Sequence, residues 1–191
     1  MARNSRPRIV LLGPPGAGKG TQAEVLAGQL GVPAISTGDM LRQAVASGSE
    51  LGRKVQDIMA SGALVDDATM ADVVKDRLAK DDARQGFLLD GYPRTVPQAH
   101  TLEGILKGVG RELDAVLCVE VPEEELVRRA VLRGRADDSE SVVRERLRVY
   151  REKTEPLIGY YKERGLLYPI DGNLPIEKVT SQMLIALGVN G

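Results

Sequence analysis

Apolar residues along this chain fall into two alternating kinds of segment. Short runs such as Ile9-Val10-Leu11-Leu12, Pro33-Ala34-Ile35, Phe87-Leu88-Leu89, Ala115-Val116-Leu117-Cys118-Val119 and Leu166 to Ile170 form the first kind. Runs this short, largely apolar at every position and bounded by Gly, Pro or charge, predict strands covered on both faces, as in a parallel sheet. In the second kind the apolar positions move to helical spacing. Ala23, Leu26, Ala27 and Leu30 predict a helix stopped by Gly31. Asp39 to Ser47 and Leu51 to Ser61 predict two short helices, with Gly48 and Gly62 as stops. Further helices follow at Met70 to Val74, Val96 to Leu106, Val142 to Lys153 and Ile176 to Leu187. Pro122 with Glu123, Glu124 and Glu125 marks another helix start, proline in the first turn and acids at the positive end of the dipole. The alternation predicts an α/β fold of three layers, a five-stranded parallel sheet flanked by helices. In such sheets the site lies at the carboxyl ends of the strands, which directs attention to the loops after Leu12, Ile35 and Leu89.

The first of these loops carries the clearest chemistry. Gly13-Pro14-Pro15-Gly16-Ala17-Gly18-Lys19 fits G-x-x-x-x-G-K between a strand and a helix. Glycines let backbone N–H groups turn inward around phosphate oxygens, the helix start adds positive dipole, and Lys19 reaches the outer phosphates. This is the pattern of a P-loop NTPase fold. The general pattern places Ser or Thr after the lysine as a magnesium ligand, whereas here Gly20 stands there and Thr21 follows. Asp90, at the end of a neighbouring strand, is then the candidate to hold Mg²⁺ through water, the alternative being a helix or turn cap.

Charge sharpens the picture. Lys plus Arg number 26 and Asp plus Glu 27, a net charge of −1, which argues against nucleic-acid and anionic-membrane partners. Yet arginines gather near predicted loops and strand ends: Arg42, Arg94, Arg129, Arg133, Arg135 and Arg146. Arg129 and Arg133 are four apart and share a helix face. For Arg128, Arg144, Arg148 and Arg151 the neighbouring glutamates predict solvated ion pairs. The others suit a reaction between two phosphorylated substrates. Such anions repel, and their transfer needs positioning and cations over the oxygens. Arginine binds phosphate oxygens in pairs. A phosphate acceptor is already largely dianionic and needs no base, which agrees with a single histidine, His100, expected to be a partly exposed structural residue.

Cys118 is the only cysteine, so no internal disulfide and no cysteine zinc cluster is expected, and a cytoplasmic setting fits. Arg3, Arg6 and Arg8 resemble a signal-peptide start, but the apolar run after them, Ile9 to Leu12, is too short for a leader or a membrane span.

Taken with Ser36-Thr37-Gly38-Asp39-Met40-Leu41-Arg42, Asp90-Gly91-Tyr92-Pro93-Arg94-Thr95-Val96-Pro97-Gln98 and Arg133-Gly134-Arg135-Ala136-Asp137-Asp138 followed by Arg146-Leu147, the phosphate loop resembles those of the nucleoside monophosphate kinases, which normally carry Lys-Gly-Thr. Among them the chain is similar to the short-lid adenylate kinases. The motifs run in family order across nearly the whole length. The resemblance implies a single P-loop kinase domain with core segments 1–35, 66–131 and 143–191, a monophosphate-binding insert over 36–65, and a short lid over 132–142 without structural zinc. It implies reversible magnesium-dependent transfer from ATP to AMP giving two ADP, by a monomer. Gly16, Ala17, Gly18, Lys19, Gly20 and Thr21 would hold the ATP phosphates, with Arg129 and Arg133 on the ATP side and Gly172 at its adenine. Arg42 and Arg94 would grip the AMP phosphate. Thr37, Gly91 and Gln98 would surround its adenine, with backbone of Ala63, Leu64 and Val65. Arg135 and Arg146 would close over the exchanged phosphates.

Base choice rests on few positions. Relatives that take UMP or CMP usually carry Ala in place of Thr37 and Asn in place of Thr95 and Gln98. An amide such as Gln98 offers one donor and one acceptor to an adenine edge. The plain alternatives are that Thr37 is a helix cap and Gln98 a surface residue. The rival activities are a UMP/CMP kinase of the same fold and a regulatory P-loop NTPase that switches a partner.

Overall fold

The computed structural model describes residues 6–189; Arg3 and the outermost ends of the two terminal core segments lie outside the described residues. Five strands, β1 (Arg8–Leu12), β2 (Ala34–Ser36), β3 (Phe87–Asp90), β4 (Ala115–Glu120) and β5 (Leu167–Asp171), form one parallel sheet in the order β2-β3-β1-β4-β5. β1 is central: Val10 stands opposite Leu89 of β3 and Val116 of β4. Alternate residues serve opposite faces. Val10, Leu12, Leu89, Val116 and Cys118 enter one core, and Ile9, Leu11, Leu88, Leu117 and Val119 enter the other. None of these ten is more than 3% exposed, which is why the runs carry no polar alternation.

Helices α1 (Lys19–Leu30), α2 (Thr37–Ala46), α3 (Glu50–Ala60), α4 (Asp67–Leu78), α5 (Val96–Lys107), α6 (Glu123–Arg133), α7 (Glu140–Val149), α8 (Pro156–Glu163) and α9 (Ile176–Ala186) supply the two outer layers. Leu26 of α1, Leu126 of α6, Leu147 of α7 and Met183 of α9 cover one face. Met70 of α4, Leu102 of α5 and Leu157 and Tyr161 of α8 cover the other. The sheet is therefore clamped on both sides, and its carboxyl edge is left to loops. No helix among the described residues is long and apolar enough to cross a membrane.

Three local readings need correction. The helix expected over Val142 to Lys153 begins at Glu140 and ends at Val149; a wider π turn, Tyr150–Thr154, follows, and then α8, for which the sequence reading had no element. Pro156 opens that helix. It stands in the first turn of α8, where its missing N–H costs nothing, and Leu157, Tyr160 and Tyr161 form the buried stripe behind it. The helix expected from Asp39 starts at Thr37, and Ser36 caps it, its Oγ accepting from the Asp39 N–H at 3.2 Å. Within the segment 36–65, Gly48 and Gly62 take the left-handed conformation expected of stops. Gly52 instead lies inside α3 and meets α2 directly: a Cβ there would lie 2.0 Å from the Ala44 carbonyl oxygen.

Gly52→Ala is therefore expected to push α3 off α2. The clash should outweigh the helix-propensity gain of about 1 kcal/mol and leave residues 37–60 roughly 1–3 kcal/mol less protected in amide hydrogen exchange. Protection equal to or above that of the parent protein would contradict this packing role.

Candidate active site

The phosphate loop occupies the turn from β1 to α1. Two of its glycines are dictated by close approach. Gly13 (φ 152°) and Gly16 (φ 84°) would place a Cβ 2.7 Å from Val119 O and 2.6 Å from Leu126 O. The residue before α1, Gly18, has no side chain to cap the helix, so nothing from that position occupies the first-turn N–H groups where an anion binds. Lys19 Nζ donates to Pro14 O at 3.0 Å. Burial lowers its pKa to about 8; Asp90 opposes, while Arg94, Arg146 and Arg133 push the same way as burial.

This loop opens into a cavity of about 720 Å³. Gly16 to Thr21, Arg129, Arg133 and Gly172 line it together with Arg42, Leu64, Asp90, Gly91, Arg94, Arg135 and Arg146. A smaller recess of about 60 Å³ shares Arg42, Leu64, Gly91, Arg94 and Arg146 and adds Thr37, Ala63, Val65 and Gln98. Every residue nominated from sequence thus lines one cavity or the other. The inward and outward arginines separate as expected. Arg128, Arg144, Arg148 and Arg151 pair with Glu125, Glu140, Glu145 and Glu123 on exposed helix faces. His100 is exposed and rests against the Tyr160 ring at 5.3 Å between centroids.

The inward cations crowd one another. Burial, then Arg146 and Arg42, hold the Arg94 pKa below its usual value, with Asp90 opposing; Arg94 Nε donates to Gly91 O at 2.8 Å. Arg135 is likewise lowered by burial, Arg42 and Arg133. The carboxylate that gathers them is Asp138, whose side chain is 0% exposed. It accepts from Arg133 Nε and Nη2, both at 2.8 Å, from Arg146 Nη1 at 3.0 Å and from the Arg135 backbone N–H at 3.2 Å. Burial alone would raise its pKa; the Arg133 hydrogen bonds and charge, the Arg135 N–H and the Arg146 charge outweigh it and hold the group ionised.

Two further ion pairs join the segments 36–65 and 132–142. Arg42 donates to Asp39 at 2.6 Å and lies 3.7 Å from Asp137, while Arg135 lies 3.7 Å from Asp39. On the opposite side Arg129 is fixed by Glu125 at 2.7 Å and donates to Gly172 O at 3.1 Å. A Cβ at Gly172 would lie 2.4 Å from Val119 Cγ1.

The plain alternatives for Thr37 and Gln98 both fail. Thr37 is 1% exposed and is not the cap; its Oγ1 donates to Asp90 O at 3.3 Å. Gln98 is 2% exposed. Its Oε1 accepts from the Arg94 N–H at 2.8 Å and its Nε2 donates to Asp67 Oδ1 at 2.9 Å.

Asp90 and Thr21 line the same cavity, and their hard oxygen donors fit magnesium beside phosphates better than a soft metal. Among the described residues, no group of three or more His, Cys, Asp and Glu side chains is placed to hold a metal by itself.

Sequence reasoning assigned no site role to Asp39, Asp67, Asp137 or Asp138, and read Glu125 only as a helix-start acid beside solvated arginines. Asp137-Asp138 carried a signal, being adjacent acids inside a basic stretch. Asp39 and Asp67 sit in first turns of helices, where acids are ordinary dipole partners and nothing local marks them.

A phosphate loop facing a second arginine-lined recess across one cavity defines a P-loop kinase acting on nucleotides. The family model described as adenylate kinase matches residues 11–166. An adenylate kinase of Thermobifida fusca (strain YX) is 53% identical over 184 residues, spanning 94% of this chain and 97% of the relative. One from Kosmotoga olearia is 49% identical over 206 aligned residues, with 92% and 96% covered, and adenylate kinase 1 of a Synechocystis strain is 48% identical over 175, with 92% and 94% covered. The chain belongs to the adenylate kinase family.

The Lys19 environment sets a pH dependence. The lysine must be a cation to hold phosphate, and burial has brought its pKa down to about 8, so protonation is complete only below that value. The dissociation constant for ATP, followed by calorimetry, should rise as pH climbs through about 8, approaching tenfold per unit. Lys19→Arg, whose charge persists, should flatten that limb; an unchanged profile would remove Lys19 from the phosphate site.

Proposed function

We propose that the chain transfers the terminal phosphoryl group of ATP reversibly to AMP, giving two ADP, with residues of both cavities in the roles that follow. The observation that carries this reading is the second basic recess. A hydrolase or switch needs one phosphate-binding loop, whereas here Arg42 and Arg94 line a separate recess that meets the loop's cavity. Two anions brought there head to head would repel in water. Inside this shell their oxygens meet fixed guanidinium and ammonium groups, which need no reorganisation as charge shifts in the transition state.

Gly16 to Thr21 cradle the ATP phosphates, and Lys19 accompanies the group in transit. Arg129 and Arg133 hold the ATP side, with backbone at Gly172 against the base. Arg42 and Arg94 orient the AMP phosphate, so that its oxygen attacks in line. Arg135 and Arg146 neutralise the charge between the two nucleotides. Thr37, Gly91, Gln98 and backbone of Ala63, Leu64 and Val65 enclose the adenine of AMP. Asp90, through water, and Thr21 would hold magnesium with ATP, where the ion screens phosphate charge.

The segments 36–65 and 132–142 act as flaps over AMP and ATP respectively. Water would otherwise compete with AMP as acceptor, and closure excludes it. Support comes from the ion pairs from Arg42 to Asp137 and from Arg135 to Asp39, which join the two flaps over the cavity. Both subsites are built from one chain, which supports a monomer. A lone cysteine, buried in β4, supports a reducing cytoplasm.

Purified protein given magnesium and ADP alone should generate ATP and AMP in equal amounts; ADP left intact would end this reading. Lys19→Met should reduce turnover by on the order of 10²-fold or more with an unchanged melting temperature. Arg94→Ala should lower kcat by a similar factor and weaken use of AMP, while the affinity for ATP stays near the parent value in direct binding measurements.

A further inference from the structure

Gln98 occupies the smaller recess with an amide whose sense is set by its neighbours. A primary amide is nearly symmetric in shape, so it reads a purine edge in either of two orientations. In one it offers N–H to N1 and oxygen to the 6-amino group of adenine. Flipped, it offers oxygen to N1–H and N–H to the 6-oxo group of hypoxanthine or guanine. Selectivity therefore requires something that prevents the flip. At Oε1 the partner is the Arg94 backbone N–H, 2.8 Å away, which only donates. At Nε2 the partner is Asp67 Oδ1, 2.9 Å away, which as a carboxylate only accepts. Reversing the amide would set N–H against N–H and oxygen against carboxylate, leaving a buried side chain with two repulsive contacts in place of two hydrogen bonds. One N–H and one oxygen lone pair of the amide remain for a ligand.

The geometry points to Asp67 as the specificity-determining positioning residue of the monophosphate subsite. It fixes the amide sense of Gln98, and so favours a 6-aminopurine monophosphate over its 6-oxo counterpart. This rests on the reading of the smaller recess as the adenine subsite. Asp67 lies on α4 and Gln98 on α5, so the bond joins two helices across 31 positions of sequence. Capping does not account for the carboxylate. The cap of α4 is Asp66, whose Oδ1 accepts from the Thr69 N–H at 2.9 Å and whose Oδ2 accepts from the Thr69 hydroxyl at 2.8 Å.

The test compares AMP with IMP, which differ at position 6 and at the N1 proton, by kcat/KM at saturating magnesium-ATP. Asp67→Ala should lower the AMP-to-IMP ratio by about tenfold, the scale of a lost donor–acceptor pair at a base edge. Asp67→Asn keeps an acceptor oxygen but loses the charge, and it should retain most of the parent ratio. Both variants remove the same negative charge from the start of α4, so a dipole or stability effect would move them together. If Asp67→Asn falls as far as Asp67→Ala, or if Asp67→Ala keeps the parent ratio while Gln98→Ala weakens use of AMP, the positioning role is wrong. If Gln98→Ala leaves use of AMP unchanged, the subsite reading itself has failed, and the inference goes with it.

Discussion

Holding several like charges together in a partly dehydrated cavity is the constraint on which the rest of this structure depends. Lys19, Arg42, Arg94, Arg133, Arg135 and Arg146 line one space, and the depressed pKa values of Lys19, Arg94 and Arg135 register burial together with the charge of neighbouring cations, whereas the Asp138 hydrogen bonds raise that of Arg133. Such a cluster stays folded only if anions accompany it. The chain supplies them from within. Asp138 is shared by Arg133, Arg146 and the Arg135 backbone, Asp39 by Arg42 and Arg135, and Asp90 acts on Lys19 and Arg94. These carboxylates hold the guanidinium groups oriented within the cavity.

The fold answers the need for rigidity beneath that cluster. A parallel sheet covered on both faces by helices has little freedom to adjust at its centre, because β1 is buried along its whole length and β3 and β4 are buried at all but their last residues. Its carboxyl edge then becomes a fixed rail from which the phosphate loop after β1 and Asp90 at the end of β3 project at constant separation. The register that places Leu11 beside Asp90 sets this spacing. Glycines at 13, 16 and 172 extend the same logic, since each lets backbone approach a neighbour closer than any Cβ allows. The segments 36–65 and 132–142 meet through partly exposed ion pairs of modest strength.

One residue type performs two unrelated tasks here, and geometry alone separates them. On the outer faces of α6 and α7, arginines pair with glutamates three or four positions away, exposed pairs that support their own helices only weakly. On the inner side, arginines of the same helices pair with aspartates of other elements or with backbone carbonyls. The local spacing of Glu to Arg in the sequence marks the first group, and the absence of such a partner marks several of the second. Arg129 is the exception, being held by Glu125 four residues earlier while also reaching Gly172.

The amino-acid sequence by itself determined the sheet, the phosphate loop and the cations of the site, because each depends on local pattern: apolar runs, glycine spacing, and arginines at strand and helix ends. It was silent on α8, because a proline at a helix start and a proline that breaks one look alike until the surrounding packing is known. It was equally silent on Asp67, whose partner lies on another helix, and it marked Asp138 only as one of two adjacent acids in a basic stretch, without its partners. Only the tertiary structure decided which carboxylate sits in the cation cluster, that Thr37 and Gln98 face inward, and that Gly52 seats one helix on another. Those facts are separations between residues distant in the chain, and they come into being only when the chain has closed on itself.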